Sequence, residues 1–295
     1  MKTGTVTIVG RPNVGKSTLL NAILKEKIAI VSDKPQTTRT RILGVAHLPG
    51  AQIAFLDTPG LHQPEHQLNK RMVRTAIDAI HEADLLYVMV DATAWQPKPG
   101  DRAAFKQIAS ELGANPPPCF LLINKVDLVR KPKLLPLIET YQGLFNWSEI
   151  VPISAKNGIN VDRLLELTVR ALGEGEAMYD EDTITDQPMR ALAAEIIREK
   201  ILMKTREEIP HSVAVEIDRF VEEGKLARIA ATILVERETQ KPIVIGRQGE
   251  RLKEIGTEAR VEMERLFGMK VFLELWVKVR EAWREDEQIL SALGY

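Results

Sequence analysis

Only one cysteine, Cys119, occurs in the 295 residues. No intrachain disulfide and no cysteine-held zinc site can form, and a reducing cytoplasm suits such a chain. No apolar run approaches the ~18 residues that a membrane-spanning helix needs. The start, Met1-Lys2-Thr3-Gly4, enters a strand-like stretch without the apolar core of a secretion signal. Charge of one sign is missing too. Lys and Arg number 40 against 41 Asp and Glu, a net charge of −1, so bulk electrostatics announce no nucleic-acid partner. Residues 1–180 hold 21 basic and 18 acidic side chains, and 181–295 hold 19 and 23. A case for nucleic acid must therefore rest on local geometry. There is no internal repeat.

What remains is ordinary for a soluble globular protein. The hydrophobic fraction is 44% and the charged fraction 27%, which excludes disordered, collagen-like and coiled-coil classes. At ~100–200 residues per domain, two domains are expected. In the first half, short apolar runs alternate with helical spacing. Strands are predicted at Thr5–Val9, Arg41–Leu48, Gln52–Leu56, Leu85–Val90, Phe120–Ile123 and Ile150–Ile153. Helices are predicted at Ser17–Leu24, Lys70–His81, Asp101–Leu112, Lys133–Leu144 and Val161–Leu172. This alternation predicts a mostly parallel sheet covered on both faces.

Gly173–Gln187 breaks the pattern with six acids, two glycines and no base. It is expected to be a linker, too poor in apolar side chains to pack. Beyond it the predicted order is α-β-β-α-β-α. Its elements are Met189–Met203, a hairpin of Ser212–Phe220 and Arg228–Glu236, Glu250–Phe267, Val271–Val279, and a closing helix over Glu281–Leu293.

Four short motifs carry chemistry. Gly10-Arg11-Pro12-Asn13-Val14-Gly15-Lys16-Ser17 fits G-x-x-x-x-G-K-[ST] between a strand and a helix. Such a match arises by chance in roughly one chain of this size in a hundred. Glycines let backbone N–H groups approach phosphate oxygens, and the helix N-terminus adds partial positive charge. Gly10, Asn13, Val14, Gly15, Lys16, Ser17 and Thr18 form the phosphate-binding set, with Lys16 reaching the β- and γ-phosphates and Ser17 holding Mg²⁺. Asp57-Thr58-Pro59-Gly60 ends a buried strand, which places Asp57 beside Mg²⁺ and the Gly60 N–H at the γ-phosphate. Asn124-Lys125-Val126-Asp127 follows another strand. The Asp127 carboxylate accepts from the guanine ring N–H and exocyclic amine together, a pair that adenine does not offer. Each charge-assisted bond is worth ~1.5–3 kcal/mol, one to two decades in affinity. Ser154-Ala155-Lys156 follows the next strand. There the Ala155 N–H can bond the guanine carbonyl and Lys156 can cover the base. All four sit at the carboxyl ends of predicted strands, the edge at which open α/β sheets bind ligands.

Residues 1–172 thus resemble a translation-factor-class GTPase domain, and Gln36-Thr37-Thr38-Arg39-Thr40 resembles the effector loop of the Era family of bacterial GTPases. The resemblance implies that a threonine hydroxyl joins Mg²⁺ only while the γ-phosphate is present. Thr38 is the first choice and Thr37 the second. Lys16, Thr38, Asp57 and Gly60 are the expected catalytic set. The glutamine that Ras-like enzymes place after the D-x-x-G glycine is replaced by Leu61, and the neighbouring His62 and Gln63 are read as solvated loop residues. In related GTPases with this replacement, a phosphate-loop asparagine helps hold K⁺. Asn13 matches that position, so slow, K⁺-stimulated hydrolysis is expected.

Gly246-Arg247-Gln248-Gly249 lies between the apolar Ile243-Val244-Ile245 and a helix starting Glu250-Arg251-Leu252-Lys253. This setting is similar to a KH domain, whose G-x-x-G loop clamps about four single-stranded nucleotides, and the element order fits the type II variant. Ile245, Gly246, Arg247, Gln248, Gly249, Arg251 and Lys253 are the expected RNA contacts. Residues 241–253 carry four bases and one acid.

The expected fold is thus an α/β P-loop GTPase domain (1–172), an acidic linker (173–187) and a smaller α+β type II KH domain (188–295). The Era-family layout implies a GTP-hydrolysing ribosome assembly factor. It would bind small-subunit ribosomal RNA near its 3′ end and serve maturation of the small subunit. The nucleotide state would gate the RNA. GTP or GDP with Mg²⁺ are the implied cofactors. The implied setting is a cytoplasmic monomer with peripheral membrane association. The rival is an RNA-binding scaffold with a regulatory, non-catalytic GTP site, which the intact Lys16, Ser17, Asp57 and Asp127 oppose. A tRNA-modification GTPase would need a terminal cysteine motif, and a double GTPase would need a second phosphate loop.

Overall fold

The computed structural model describes residues 1–94, 96–206 and 209–295. Its first unit comprises residues 1–29, 38–65 and 69–186. The chain starts on strand β1 (Lys2–Gly10), turns through the phosphate-loop motif into helix α1 (Lys16–Leu24), and returns as strands β2 (Ile42–Leu48) and β3 (Ala51–Asp57). Helix α2 (Gln67–His81), strand β4 (Leu85–Asp91), helix α3 (Pro99–Glu111), strand β5 (Cys119–Asn124), helix α4 (Leu134–Gln142), strand β6 (Glu149–Pro152) and helix α5 (Val161–Ala171) follow.

The six strands form one sheet in the order β2-β3-β1-β4-β5-β6. All neighbours are parallel except the β2–β3 hairpin at one edge. Alternate residues of each strand feed opposite layers. Ile8, Phe55 and Tyr87 join Leu19 of α1 and Leu164 of α5 in one apolar cluster. Val9, Val88 and Leu121 join Ile80 of α2, Phe105 of α3 and Leu137 of α4 in another. Because both faces are covered, runs such as Leu85–Val90 are apolar throughout rather than alternating.

The acidic stretch does pack, contrary to the expectation from its composition. The first unit extends to Asp186. Gln52 Oε1 accepts from the Met178 and Tyr179 N–H groups (2.7 and 2.9 Å). The Val45 N–H donates to the Ile184 carbonyl (2.8 Å), and Thr185 Oγ1 donates to the Leu43 carbonyl (2.7 Å). The stretch is held mainly by hydrogen bonds, several of them to the open edge strand β2, whose unpaired backbone groups need partners. Tyr179 supplies an apolar contact, against the cluster of Leu43, Val45, Ala54, Leu56 and Ala79.

The second unit takes in residues 30–37 and 66–68 together with 187–295. Its elements are helices α6 (Met189–Lys204) and α7 (Ile209–Ser212), strands β7 (Ala214–Glu223) and β8 (Leu226–Val235), helices α8 (Lys241–Ile245) and α9 (Glu250–Phe267), strand β9 (Lys270–Val279) and helix α10 (Glu287–Ala292). The sheet order is β7-β8-β9, antiparallel then parallel. Ile197 and Ile201 of α6, and Ile255, Ala259 and Met263 of α9, close one face over Ile229, Ile233 and Val271. Ile30 belongs to the same cluster. Segment 30–37 is fixed at both ends by α6: Glu199 accepts from the Val31 N–H (2.9 Å), and the buried Arg198 guanidinium donates to the Thr37 carbonyl.

The single closing helix expected over Glu281–Leu293 is two pieces, a 3₁₀ turn at Trp283–Glu285 and α10. Ala282 adopts a left-handed conformation (φ 48°), and the Asp286 side chain caps the new helix by accepting from the Gln288 and Ile289 N–H groups. Among the described residues, no helix is long and apolar enough to cross a membrane.

Candidate functional site

The four motifs of the first unit converge where β1, β3, β5 and β6 end. β1 delivers Gly10, and the loop turns through Asn13 (φ 63°) and Gly15 (φ 105°) before α1 begins. Gly15 is required for two reasons. Its φ disfavours any side chain, and a Cβ there would collide with the Asn124 amide nitrogen. Asn124 is the hub of the site. Its Nδ2 donates to the Val14 carbonyl (2.7 Å), and its Oδ1 accepts from the Ala155 N–H (2.9 Å). One buried amide therefore ties the phosphate loop, the end of β5 and the Ser154-Ala155-Lys156 loop together.

Ser17 Oγ donates to Asp57 Oδ2 (2.5 Å) and lies 2.8 Å from Thr38 Oγ1. Thr37 is turned the other way, its hydroxyl donating to the Lys34 carbonyl (2.6 Å). Of the two adjacent threonines, Thr38 is the one whose hydroxyl meets Ser17. Lys16 Nζ donates to the Arg11 carbonyl (3.1 Å) and approaches that of Gly10 (3.4 Å). Burial pulls the Lys16 ammonium down to about 8, with Asp57 acting against it. Burial pushes the Asp57 carboxyl up to about 6, opposed by Lys16, the Ser17 and Thr38 hydroxyls and the Thr58 N–H. Both residues are thus desolvated, which strengthens their interaction with any charge that enters.

Asp57 Oδ1 is buried with no hydrogen-bond partner among the described residues. One carboxylate and two hydroxyls make a hard oxygen set suited to Mg²⁺, which usually completes its shell with phosphate and water. Among the described residues no group of three His, Cys, Asp or Glu side chains could hold a metal.

The other expected residues lie as follows. Thr18 is half-buried on α1, and Gly60 packs so closely on Pro12 that a Cβ would meet the Pro12 nitrogen. Asp127 and Lys156 stand exposed on their loops, while Ser154 and Ala155 are buried. Leu61 is buried among apolar side chains of the second cluster. His62 is not simply solvated: its Nδ1 lies 2.6 Å from the Gly60 carbonyl oxygen, and its buried Nε2 has no partner among the described residues. Sequence reasoning missed Asp91, whose carboxylate pairs with Lys125, and Asp101, which pairs with Arg11 at 2.5 Å. Asp91 ends β4 in register with Asn124, and that place at the ligand-binding edge was the available signal.

In the second unit, the G-x-x-G residues form a sharp turn between α8 and α9. Gly246 (φ 75°), Gln248 (φ 52°) and Gly249 (φ 81°) are left-handed. A Cβ on Gly246 would lie 2.7 Å from the Arg251 Cβ and 2.9 Å from its nitrogen. Arg247, Gln248 and Lys253 are exposed, and Ile245 packs on the core. Arg251 is half-buried, its guanidinium donating to the Ile243 carbonyl. Beside the turn, a groove of about 400 Å³ is lined by Gly249, Leu252, Lys253, Gly256, Arg260 and Leu275. Apolar floor, basic rim and exposed backbone at a glycine turn are what a single-stranded nucleic acid needs.

Comparison with known proteins fits both halves. The model of a family described as 50S ribosome-binding GTPase matches residues 5–125, and that of the KH domain matches residues 208–284. GTPase Era of Geobacter metallireducens is 53% identical over 100% of this chain and 98% of its own length. That of Leuconostoc citreum is 50% identical over 100% and 96%. A crystal structure of Era in complex with MgGDPNP and nucleotides 1506–1542 of 16S ribosomal RNA superposes with a TM-score of 0.95, at 45% identity and covering 100% and 99% of the two chains. A tyrosine-to-alanine variant of Aquifex aeolicus Era bound to GDP and aluminium fluoride gives 0.94, at 46% identity and the same coverage.

Proposed function

This chain belongs to the Era family of GTPases, and from that premise we propose that it is a GTP-hydrolysing, RNA-binding assembly factor for the small ribosomal subunit. It binds the 3′ region of small-subunit ribosomal RNA through the KH turn and groove, and it works in the cytoplasm. Residues 1–172 serve as the GTPase domain, 173–187 as the connecting segment and 188–295 as the KH domain. The observation that carries the reading is the convergence of Lys16, Ser17, Thr38, Asp57 and the Asn124 hub at one sheet edge.

The backbone amides of the phosphate loop and Lys16 bind the triphosphate, and Asp127 selects guanine. Ser17, Thr38 and Asp57 would hold Mg²⁺, which neutralises charge on the β- and γ-phosphate oxygens. The chain positions rather than attacks, since phosphoryl transfer asks mainly for alignment and charge stabilisation. Leu61 offers no hydrogen bond to water, so intrinsic turnover is slow. Asn13 would help hold a K⁺ ion, which would add positive charge near the phosphates. Turnover in KCl should exceed that in NaCl at equal ionic strength, and equal rates would remove K⁺ from the scheme.

Gating follows from chain continuity. Thr38 faces Ser17, and the adjacent Thr37 carbonyl is bonded by Arg198 of α6. Ordering of Thr38 by the γ-phosphate is thereby passed along one peptide bond to the RNA-binding unit. Peripheral attachment to the membrane belongs to the same reading, and co-sedimentation with anionic vesicles tests it. The decisive experiment is crosslinking of bound RNA followed by sequencing. Reads should concentrate at the 3′ end of small-subunit ribosomal RNA and vanish with Gly246→Asp. An even spread over transcripts, unchanged in the variant, would contradict the assignment.

A further inference from the structure

Lys125 of the third motif braces the phosphate loop and is itself held from outside the four motifs. Lys125 Nζ donates to the Asn13 carbonyl (2.8 Å) and pairs with Asp91 Oδ2 (2.6 Å). The other carboxylate oxygen, Oδ1, is taken by the Thr93 N–H (2.9 Å) and hydroxyl (2.7 Å). Asp91 is thus held by a turn of its own, at the carboxyl end of β4, with one oxygen aimed at Lys125. Burial works to raise the Asp91 carboxyl, and the Lys125 ammonium with the two Thr93 donors outweighs it, leaving the carboxyl below the ordinary range.

We propose that Asp91 is a positioning residue for the guanine nucleotide, fixing Lys125 as the strut between the base loop and the phosphate loop. This rests on the function proposed above and adds a residue to its site. The physical need is clear. Lys125 and Asn13 both hold left-handed backbone conformations (φ 67° and 63°), which cost energy in residues other than glycine. A lysine side chain has four rotatable bonds and loses ~2 kcal/mol of entropy when fixed. A carboxylate 2.6 Å from its ammonium confines it before nucleotide arrives, so less order must be imposed on binding. The strut acts on the base and on the loop geometry that GDP and GTP share. It therefore strengthens both nucleotides alike and leaves the chemical step untouched.

Asp101 is a useful contrast. It also reaches the loop, through Arg11 Nε (2.5 Å), yet it is buried, caps α3 by accepting from the Lys98 N–H (2.8 Å), and accepts from the Tyr141 hydroxyl (3.1 Å). Its loss would destabilise the fold itself.

The test is Asp91→Asn in the full chain. The amide keeps an oxygen for Thr93 and sets an N–H group against the Lys125 ammonium, so the change is confined to the strut. Release of a fluorescent GDP is followed by stopped flow, with turnover at saturating GTP and melting of nucleotide-free protein alongside. Release should quicken roughly tenfold, with turnover within about twofold and the melting curve unchanged. Release within twofold of the wild type would overturn the proposal. So would faster release accompanied by comparable losses in turnover and melting temperature, because Asp91 would then be a general structural residue. Failure of the wild type to bind GDP would overturn the functional reading instead, so the two failures are distinguishable.

Discussion

Replacing Asn124 with alanine tests the organisation of the nucleotide site most sharply. Asn124 is 3% exposed and makes two hydrogen bonds, to the Val14 carbonyl (2.7 Å) and from the Ala155 N–H (2.9 Å). Alanine removes both and leaves two buried backbone groups without partners. Each such orphan costs ~1–3 kcal/mol, so the total is ~2–6 kcal/mol. Much of it should appear as lost nucleotide affinity, because the freed groups belong to the two loops that must close on phosphate and base. At ~1.4 kcal/mol per decade, even the low end weakens GDP about 30-fold. Fluorescence anisotropy of a labelled GDP measures this directly. Asn124→Asp sharpens the test. It preserves the acceptor for Ala155 but turns a carboxylate oxygen toward the Val14 carbonyl, so it should do no better than alanine. GDP affinity within threefold of the wild type in either variant would show that the amide is not the hub described.

Three further outcomes follow from the same geometry. Asp127→Asn forfeits the carboxylate proposed to accept two guanine N–H groups, and GDP competition should report ~10²–10⁴-fold weaker binding; an unchanged affinity would end its role in selection. Thr38→Val should lower GTP turnover at least about tenfold and raise the Mg²⁺ requirement, whereas Thr37→Val should stay within about threefold. The reverse ranking would mean that the loop rearranges before the metal is held. Gly246→Ala forces a Cβ against Arg251 at φ 75°, a strain of ~1–3 kcal/mol. RNA gel shifts should weaken about tenfold with GTP turnover intact, and undiminished RNA binding would exclude the turn from the interface.

Much of this was legible in the residues themselves. Strands buried on both faces announce themselves as apolar runs, and glycine-punctuated motifs at their ends mark the ligand edge without any structure. Glu250–Phe267 matches its predicted bounds because left-handed glycines, Gly249 and Gly268, stop it at both ends. Three features were hidden. The acidic stretch was read as non-packing because composition counts apolar side chains, whereas hydrogen bonding to an exposed strand edge depends on the backbone. The break before α10 falls at Asp286, whose backbone is extended (φ −88°, ψ 107°) and whose side chain caps the new helix, a stop that helical spacing alone does not mark. Asp91, Asp101 and Arg198 act through partners far away in the chain, at separations of 34, 90 and 161 residues. Spacing within a motif cannot reveal such pairs.

The most direct measurement of the central claim is RNA affinity in two nucleotide states. An oligonucleotide carrying the 3′ end of small-subunit ribosomal RNA would be titrated with the full chain in saturating Mg²⁺, once with GDP and once with a non-hydrolysable GTP analogue. Coupling of ~1–3 kcal/mol predicts RNA binding about 5–150-fold tighter with the analogue, and the analogue bound tighter by the same factor when RNA is present. Identical affinities in the two states would contradict the account.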